Sequence, residues 1–213
     1  MFTLEFDESL ALGAKDNDKK GSQFSGLYNV EIKSAYQVVS KRGTKGVKFR
    51  VYIPERKKTY EIDTLWIEKA DGTPINFQKA KIMKIFGITK ANPNDIVQNM
   101  ENIFGEAKAV PSFKGLLGAE IGMIIQLEQK YKQKEVAGKW IDDKTSDPKP
   151  LFKLLEVCNP KTKQTYAEMK SNVPAEEVEN ILEDLKDILV KNYNTNTTTN
   201  TADDLDDGGL GDL

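Results

Sequence analysis

Between Tyr28 and Trp66 the chain alternates apolar and polar residues with a period of two, broken twice by turn residues. In the middle run Val47, Phe49, Val51 and Ile53 alternate with Lys48, Arg50 and Tyr52, so the first set belongs to a core face and the second to a solvent face. Before it, Tyr28 to Val39 predicts a first strand with Tyr28, Val30 and Ile32 on one side. Ser40 to Gly46 is a glycine-containing turn. After it, Pro54 to Lys57 ends the pairing, and Lys58 to Ile67 predicts a third strand, with Tyr60, Ile62, Thr64 and Trp66 on one face and Glu61, Asp63 and Leu65 on the other. The three strands form an antiparallel meander.

The period then changes. Thr73 suits an N-cap and Pro74 the first helical position; Ala80, Ile82, Met83, Ile85 and Phe86 form an apolar stripe, and Gly87 closes it. A second short helix is predicted over Asn94 to Phe104 from Ile96, Val97, Met100 and Ile103. Alternation returns at Gly118 to Tyr131 for strand four and at Leu151 to Cys158 for strand five. Between them Lys130 to Pro150 is a long Lys-rich loop, and Asn159 to Tyr166 reads as a turn with a short final strand. From Pro174 to Tyr193 Val178, Ile181, Leu182, Leu185, Ile188 and Leu189 fall at helical steps, predicting an amphipathic helix that covers its own domain or pairs with another chain. Residues 1–23 read as a flexible arm, and 192–213 as an Asn/Thr linker running into an acidic tail, both expected to be disordered.

Composition narrows the function. The chain of 213 residues is 38% hydrophobic and 30% charged, enough for one domain (24–191) with tails. No apolar run approaches the ~18 residues of a membrane span, no secretory signal is visible at Met1 to Ala14, and Cys158 is the single cysteine; the cytoplasm is the expected compartment. The sequence has no histidine, which excludes Ser-His and Cys-His catalytic pairs and an ordinary zinc site. A carboxylate-held metal at Glu61, Asp63 and Glu68 would be the remaining enzymatic route, and no further motif supports it. Neither an enzyme, nor a cofactor, nor a metal is expected.

Charge is strongly segregated beneath a net value of −2. Ser22 to Tyr166 carries 25 Lys and Arg against 16 Asp and Glu; the residues after Tyr166 carry 3 against 12. A basic body with an acidic end suits a polyanion partner and an internal competitor for it. The cations gather with aromatic rings at four places: Tyr36 on strand one; Lys41, Arg42 and Lys45 in the turn; Lys48, Arg50, Tyr52, Tyr60 and Trp66 on strands two and three; and Lys130, Tyr131, Lys132, Lys134, Lys139 and Trp140 in the long loop. Cations track backbone phosphates and rings accept bases of any identity, which is how single strands are held without sequence preference. Tyr60 and Trp66 could equally pack in the core, Tyr36 could cap the barrel, and Trp140 could anchor its loop.

Three strands, a helical insertion and two more strands predict a mainly β chain with helices: an OB-fold, a five-stranded Greek-key barrel that binds oligonucleotides on strands two and three and the flanking loops. Phe24 to Ile32, Ser40 to Gly46, Leu117 to Gly122, Asn159 to Glu168 and the Asp-rich end carry a resemblance to phage single-stranded DNA-binding proteins, which join an OB-fold core to a disordered linker and an acidic C-terminus. The last residue is Leu213, where bacterial and T7-like members typically have Phe. The resemblance implies sequence-independent protection of single-stranded DNA in replication and recombination. It also implies a tail, here Asp203, Asp204, Asp206, Asp207, Asp212 and Leu213, that competes for the DNA groove and recruits replication or recombination proteins. An RNA-binding OB module and an adaptor acting through the terminal helix and tail are the alternatives.

Overall fold

Val47, Phe49, Val51 and Ile53 are all buried to 2% exposure or less, so the alternation of the second strand does mark a core face. The computed structural model of the protein describes residues 23–188 apart from 104, 137, 138 and 146, and the side chains of these apart from 135, 139 and 140. The predicted arm up to residue 22, the end of the last helix and the linker and tail lie outside the described residues.

The meander is formed by β1 (Gly26–Val39), β2 (Lys45–Ile53) and β3 (Lys58–Glu68), with a single 3-10 turn at Pro54–Arg56 between the last two. A helix, α1 (Asn76–Thr89), follows, then a hairpin of β4 (Ile96–Ile103) and β5 (Glu106–Phe113). β6 (Glu120–Lys130), a small hairpin of β7 (Gln133–Val136) and β8 (Lys139–Asp142), and β9 (Lys149–Cys158) complete the strands. Two short helices end the described chain, α2 (Tyr166–Ser171) and α3 (Glu177–Glu183).

The protein is mainly β. Seven strands make one mixed sheet in the order β2-β3-β9-β6-β1-β5-β4, and β1 also pairs with β2, which closes five of the strands into a ring. Every pairing in the ring is antiparallel except β3 with β9, which meet in parallel at Ile62 and Phe152. β1 serves three partners: its first half pairs with β6, its second half with β2, and Tyr36 with Ser112 of β5. The inner faces meet in a core that includes Ile32, Phe49, Ile62 and Met123, and α1 packs on it through Ile82, Ile85 and Phe86.

On the outside of β6 and β9 a second cluster of Ile124, Cys158 and Val178 is covered by α3, which therefore packs within its own chain. This is why Ile121 to Ile125 is buried without alternation: both faces of β6 are covered. Burial pushes the Cys158 thiol up to about 11. Gly122 lies against it so closely that a Cβ there would meet Cys158 Sγ at 2.5 Å.

Five predicted elements differ. The segment predicted as a helix over Asn94 to Phe104 holds a strand at Ile96–Ile103: Ile96, Val97 and Met100 are 43%, 38% and 61% exposed, so their helical spacing marks no buried stripe, and the backbone pairs with β5 instead. The long loop contains the β7–β8 hairpin, and the short final strand is only a Cys158–Thr165 bridge before α2, whose Thr165 and Glu168 make a capping box. α1 starts later than Thr73, because Ile75 donates to Ile67 O and Lys69 to Thr73 O, extending the edge of β3; Gly87 is interior to the helix, beneath the Tyr166 ring, and Lys90 terminates it. The last helix stops at Glu183. Beyond it Ile188 donates to Leu127 O and accepts from Gln129 N, while Asp187 accepts the Phe24 and Ser25 N–H groups at 2.8 and 2.6 Å, so these residues leave the helix to clamp the start of β1. Among the described residues no helix is long and apolar enough to cross a membrane.

Candidate nucleic-acid interface

Strand β2 sends Gly46, Lys48, Arg50 and Tyr52 outward from the ring, between Tyr36 and Ser34 of β1 on one side and Glu61 and Trp66 of β3 on the other. The β3 side depends on a bulge. Val47 pairs with Leu65 and Phe49 with Ile62, so Asp63 and Thr64 together oppose Lys48 alone. Such a bulge reverses which side chains point inward. Ile62 and Leu65 are both buried at three-residue spacing, and Trp66 turns out onto the face of the cations. Its ring lies on Gly46, where a Cβ would come within 2.8 Å of Trp66 Cε3; any larger residue would push the ring off the strand.

Tyr60, before the bulge, is across from Val51 on the inner side. Its ring packs edge-on against Phe24 and Phe152 at 5.2 and 5.0 Å, so the expectation that it faces DNA beside Lys48 is corrected. Tyr36 does lie on the outward face, in register with Lys48, yet it is only 3% exposed. Burial, with the charges of Glu61 and Glu101 beside it, pushes its phenol up to about 12, and at 3% exposure the ring is not open for stacking. Tyr52 is half-buried, with Lys33 Nζ 5.5 Å from its ring centroid.

The cations on this face are engaged. Lys48 Nζ lies 3.3 Å from Glu61, and Arg50 reaches Glu61 at 3.8 Å and Glu101 at 3.6 Å. Glu101 is buried and comes from β4, so the β4–β5 hairpin arches over the far end of the face. Sequence reasoning missed both counter-charges as such. Glu61 was legible, being the polar residue next to Ile62; Glu101 carried no signal while its segment read as a helix.

The flanks are arranged at opposite ends. Lys41 and Arg42 are exposed in the β1–β2 turn, and Lys45, also exposed, pairs with Glu68 at 2.6 Å. Because β9 runs parallel to β3, the excursion between β6 and β9 leaves the ring at the Lys58 end of β3, away from that turn. Lys130 is the last residue of β6, Tyr131 is half-buried after it, Lys132 is exposed, and Lys134 holds Asp143 at 2.9 Å. Lys139 and Trp140 lie in β8, in register with Val136 and Glu135; their side chains are outside the description. The tail residues Asp203, Asp204, Asp206, Asp207, Asp212 and Leu213 lie outside the described residues.

Among the described residues no group of three or more Cys, Asp or Glu side chains is placed to hold a metal ion. The face therefore offers an indole, two cations paired with the exposed Glu61 and the buried Glu101, and a phenol at one end. No protein-family model matches this chain, and no curated protein matches it in sequence.

Proposed function

We propose that this protein binds single-stranded DNA without sequence preference and performs no chemistry on it. The observation that carries the reading is the single outward row of Trp66, Lys48, Arg50 and Tyr52, with Lys41, Arg42 and Lys45 at one end and the Lys-rich excursion at the other. An indole packed against a glycine of the outward face is a platform for an unstacked base, and base–aromatic stacking is worth ~1–3 kcal/mol per base. Phosphates suit the guanidinium of Arg50 and the ammonium of Lys48 better than the loosely held Glu61 does. The strand order supports an OB-type reading of the ring: a meander of three strands, then two strands that insert between the third and the first, with the third and fifth parallel. In OB folds the ligand lies across strands two and three, the face that bears this row.

On this reading the protein coats exposed strands during phage replication and recombination in the host cytoplasm. Its acidic tail competes for the basic face when DNA is absent and recruits partner proteins when DNA is bound. Fluorescence anisotropy with matched single-stranded DNA, single-stranded RNA and duplex oligomers, each titrated with salt, tests it. Tightest binding to single-stranded DNA is expected, with log affinity falling linearly in log salt. Equal affinity for duplex would sink the groove, and preference for RNA would move the protein to the RNA-binding class.

A further inference from the structure

We propose that the notch where the β4–β5 hairpin overhangs β1 is a slot for one unstacked nucleobase of the bound strand. It rests on the single-strand reading and adds a second base site that the outward row of β2 and β3 does not contain. The notch has a volume of about 200 Å³ and is lined mainly by apolar surface from Val97, Phe113 and Leu117, with Asn99 and Lys114 also in its lining. That is below the roughly 300–1,000 Å³ of pockets that bury drug-sized ligands, so it suits one ring system and not a whole nucleotide.

A second observation points to an occupant. Ser34 lines the notch, is 5% exposed, and its Oγ has no hydrogen-bond partner among the described residues. Arg50 Nε, in register across from it on β2, also makes no hydrogen bond among the described residues, although it lies 3.8 Å from Glu61, so the unpaired hydroxyl of Ser34 is what points to an occupant. Buried polar groups are nearly always paired in folded proteins, so an unpaired hydroxyl in an apolar notch calls for a ligand with a polar edge. A serine hydroxyl both donates and accepts, so it can meet a base carbonyl or a base amine and imposes no sequence. The apolar walls would contact the faces of the ring. An aliphatic side chain from a protein partner would fill the same walls and leave Ser34 unpaired. Because Ser34 is the register partner of Arg50, the slot opens onto the cationic face, and a strand lying there reaches it without leaving the protein.

The test uses the full chain and an oligothymidine trimmed to the shortest length that binds fully, with one abasic residue moved along it. At the position that meets the slot, the abasic oligomer is expected to bind the wild type about tenfold more weakly, the scale of one lost base contact. Val97 and Leu117 are 38% and 57% exposed, so Val97→Ala with Leu117→Ala should keep the fold, checked by thermal melting. That variant is expected to lose about tenfold on the intact oligomer and to show no further abasic penalty, the signature of a shared interaction. Should it unfold, Ser34→Ala decides: a severalfold loss on the intact oligomer and a reduced abasic penalty are expected, and an unchanged pair of affinities overturns the slot. If single strands bind the wild type and the double variant equally well, the slot falls while the outward face stands. A double variant that shifts the sedimentation coefficient of the DNA-free protein makes the notch a contact between copies and overturns the slot. A wild type that binds no single strand removes the parent reading and the slot together.

Discussion

Glu61→Gln should tighten single-strand binding, because Glu61 is the carboxylate that holds two of the cations on the outward face. It lies 3.3 Å from Lys48 and 3.8 Å from Arg50, and its side chain is 51% exposed, so the change removes a charge without opening a cavity. Exposed ion pairs contribute ~0.2–1 kcal/mol each. Two of them make the competition with an incoming phosphate worth about 0.4–2 kcal/mol, or roughly two- to thirtyfold in affinity. Screening shortens the reach of exposed charges from ~10 Å at 0.1 M to ~3 Å at 1 M salt, so the gain should be largest at low salt and fade as salt rises. Asp184→Asn is the control, since it makes the same net change beyond α3, on the covered side of β6 and β9; it should give a smaller gain. The assay is anisotropy of a labelled oligothymidine across a salt series. Unchanged or weaker binding of the Glu61→Gln protein at 50 mM salt would refute the idea that Lys48 and Arg50 are the phosphate-binding cations.

Three further variants have expected outcomes. Trp66→Ala should weaken binding by ~1–3 kcal/mol even at high salt, because stacking is not screened, whereas Lys48→Ala should mainly flatten the salt dependence by about 0.7 in log–log slope; a Trp66→Ala protein that binds normally would return the indole to a packing role. Burial opposes ionisation of Asp187, but the hydrogen bonds from Ser25 and Phe24 and the charge of Arg56 outweigh it and hold the carboxyl below the usual range. A depressed carboxylate stabilises the fold above its unfolded value of ~3.9 and loses that contribution as pH falls through the folded one. Asp187→Ala should therefore cost about 2–3 kcal/mol in urea unfolding at pH 7, from two charge-assisted bonds, with the difference from wild type shrinking below about pH 4; a difference that stays constant with pH would assign the loss to packing.

The meander was legible because its signal is local. Val47, Phe49, Val51 and Ile53 alternate without interruption, and a strand with one buried face repeats every two residues. What the sequence did not carry was the count at the bulge. The alternation of Tyr60, Ile62, Thr64 and Trp66 assumes one residue of β3 for each of β2, whereas Asp63 and Thr64 share a place, so Tyr60 and Trp66 end on opposite sides. Asn94 to Phe104 failed for a different reason. A helical spacing of apolar residues means burial only if a surface exists to bury against, and here the segment pairs by its backbone with β5 and leaves Ile96, Val97 and Met100 exposed. The last helix was right in kind and too long, since Leu185 to Ile188 are pulled off by Phe24, Ser25, Leu127 and Gln129, partners far away in the chain. Glu101 was invisible for the same cause: its role exists only once the hairpin has folded over β2.

The parallel pairing of Ile62 with Phe152 also has a consequence in time. A ribosome delivers β1, β2 and β3 early, and they can pair as soon as they emerge because each partner is the next strand in the chain. The ring cannot close then, since β9 does not leave the exit tunnel until the α1, β4–β5 and β6 segments have all been made, a delay on the order of ten seconds at ordinary elongation rates. Throughout that interval the third strand presents an unpaired edge, and the first keeps its β6 side open. Long-range closure of this kind is slow even for a complete chain. The nascent meander therefore carries its row of cations with Glu61 alone as counter-charge, before it has either the Glu101 that reaches Arg50 or the clamp of Asp187 on Phe24 and Ser25.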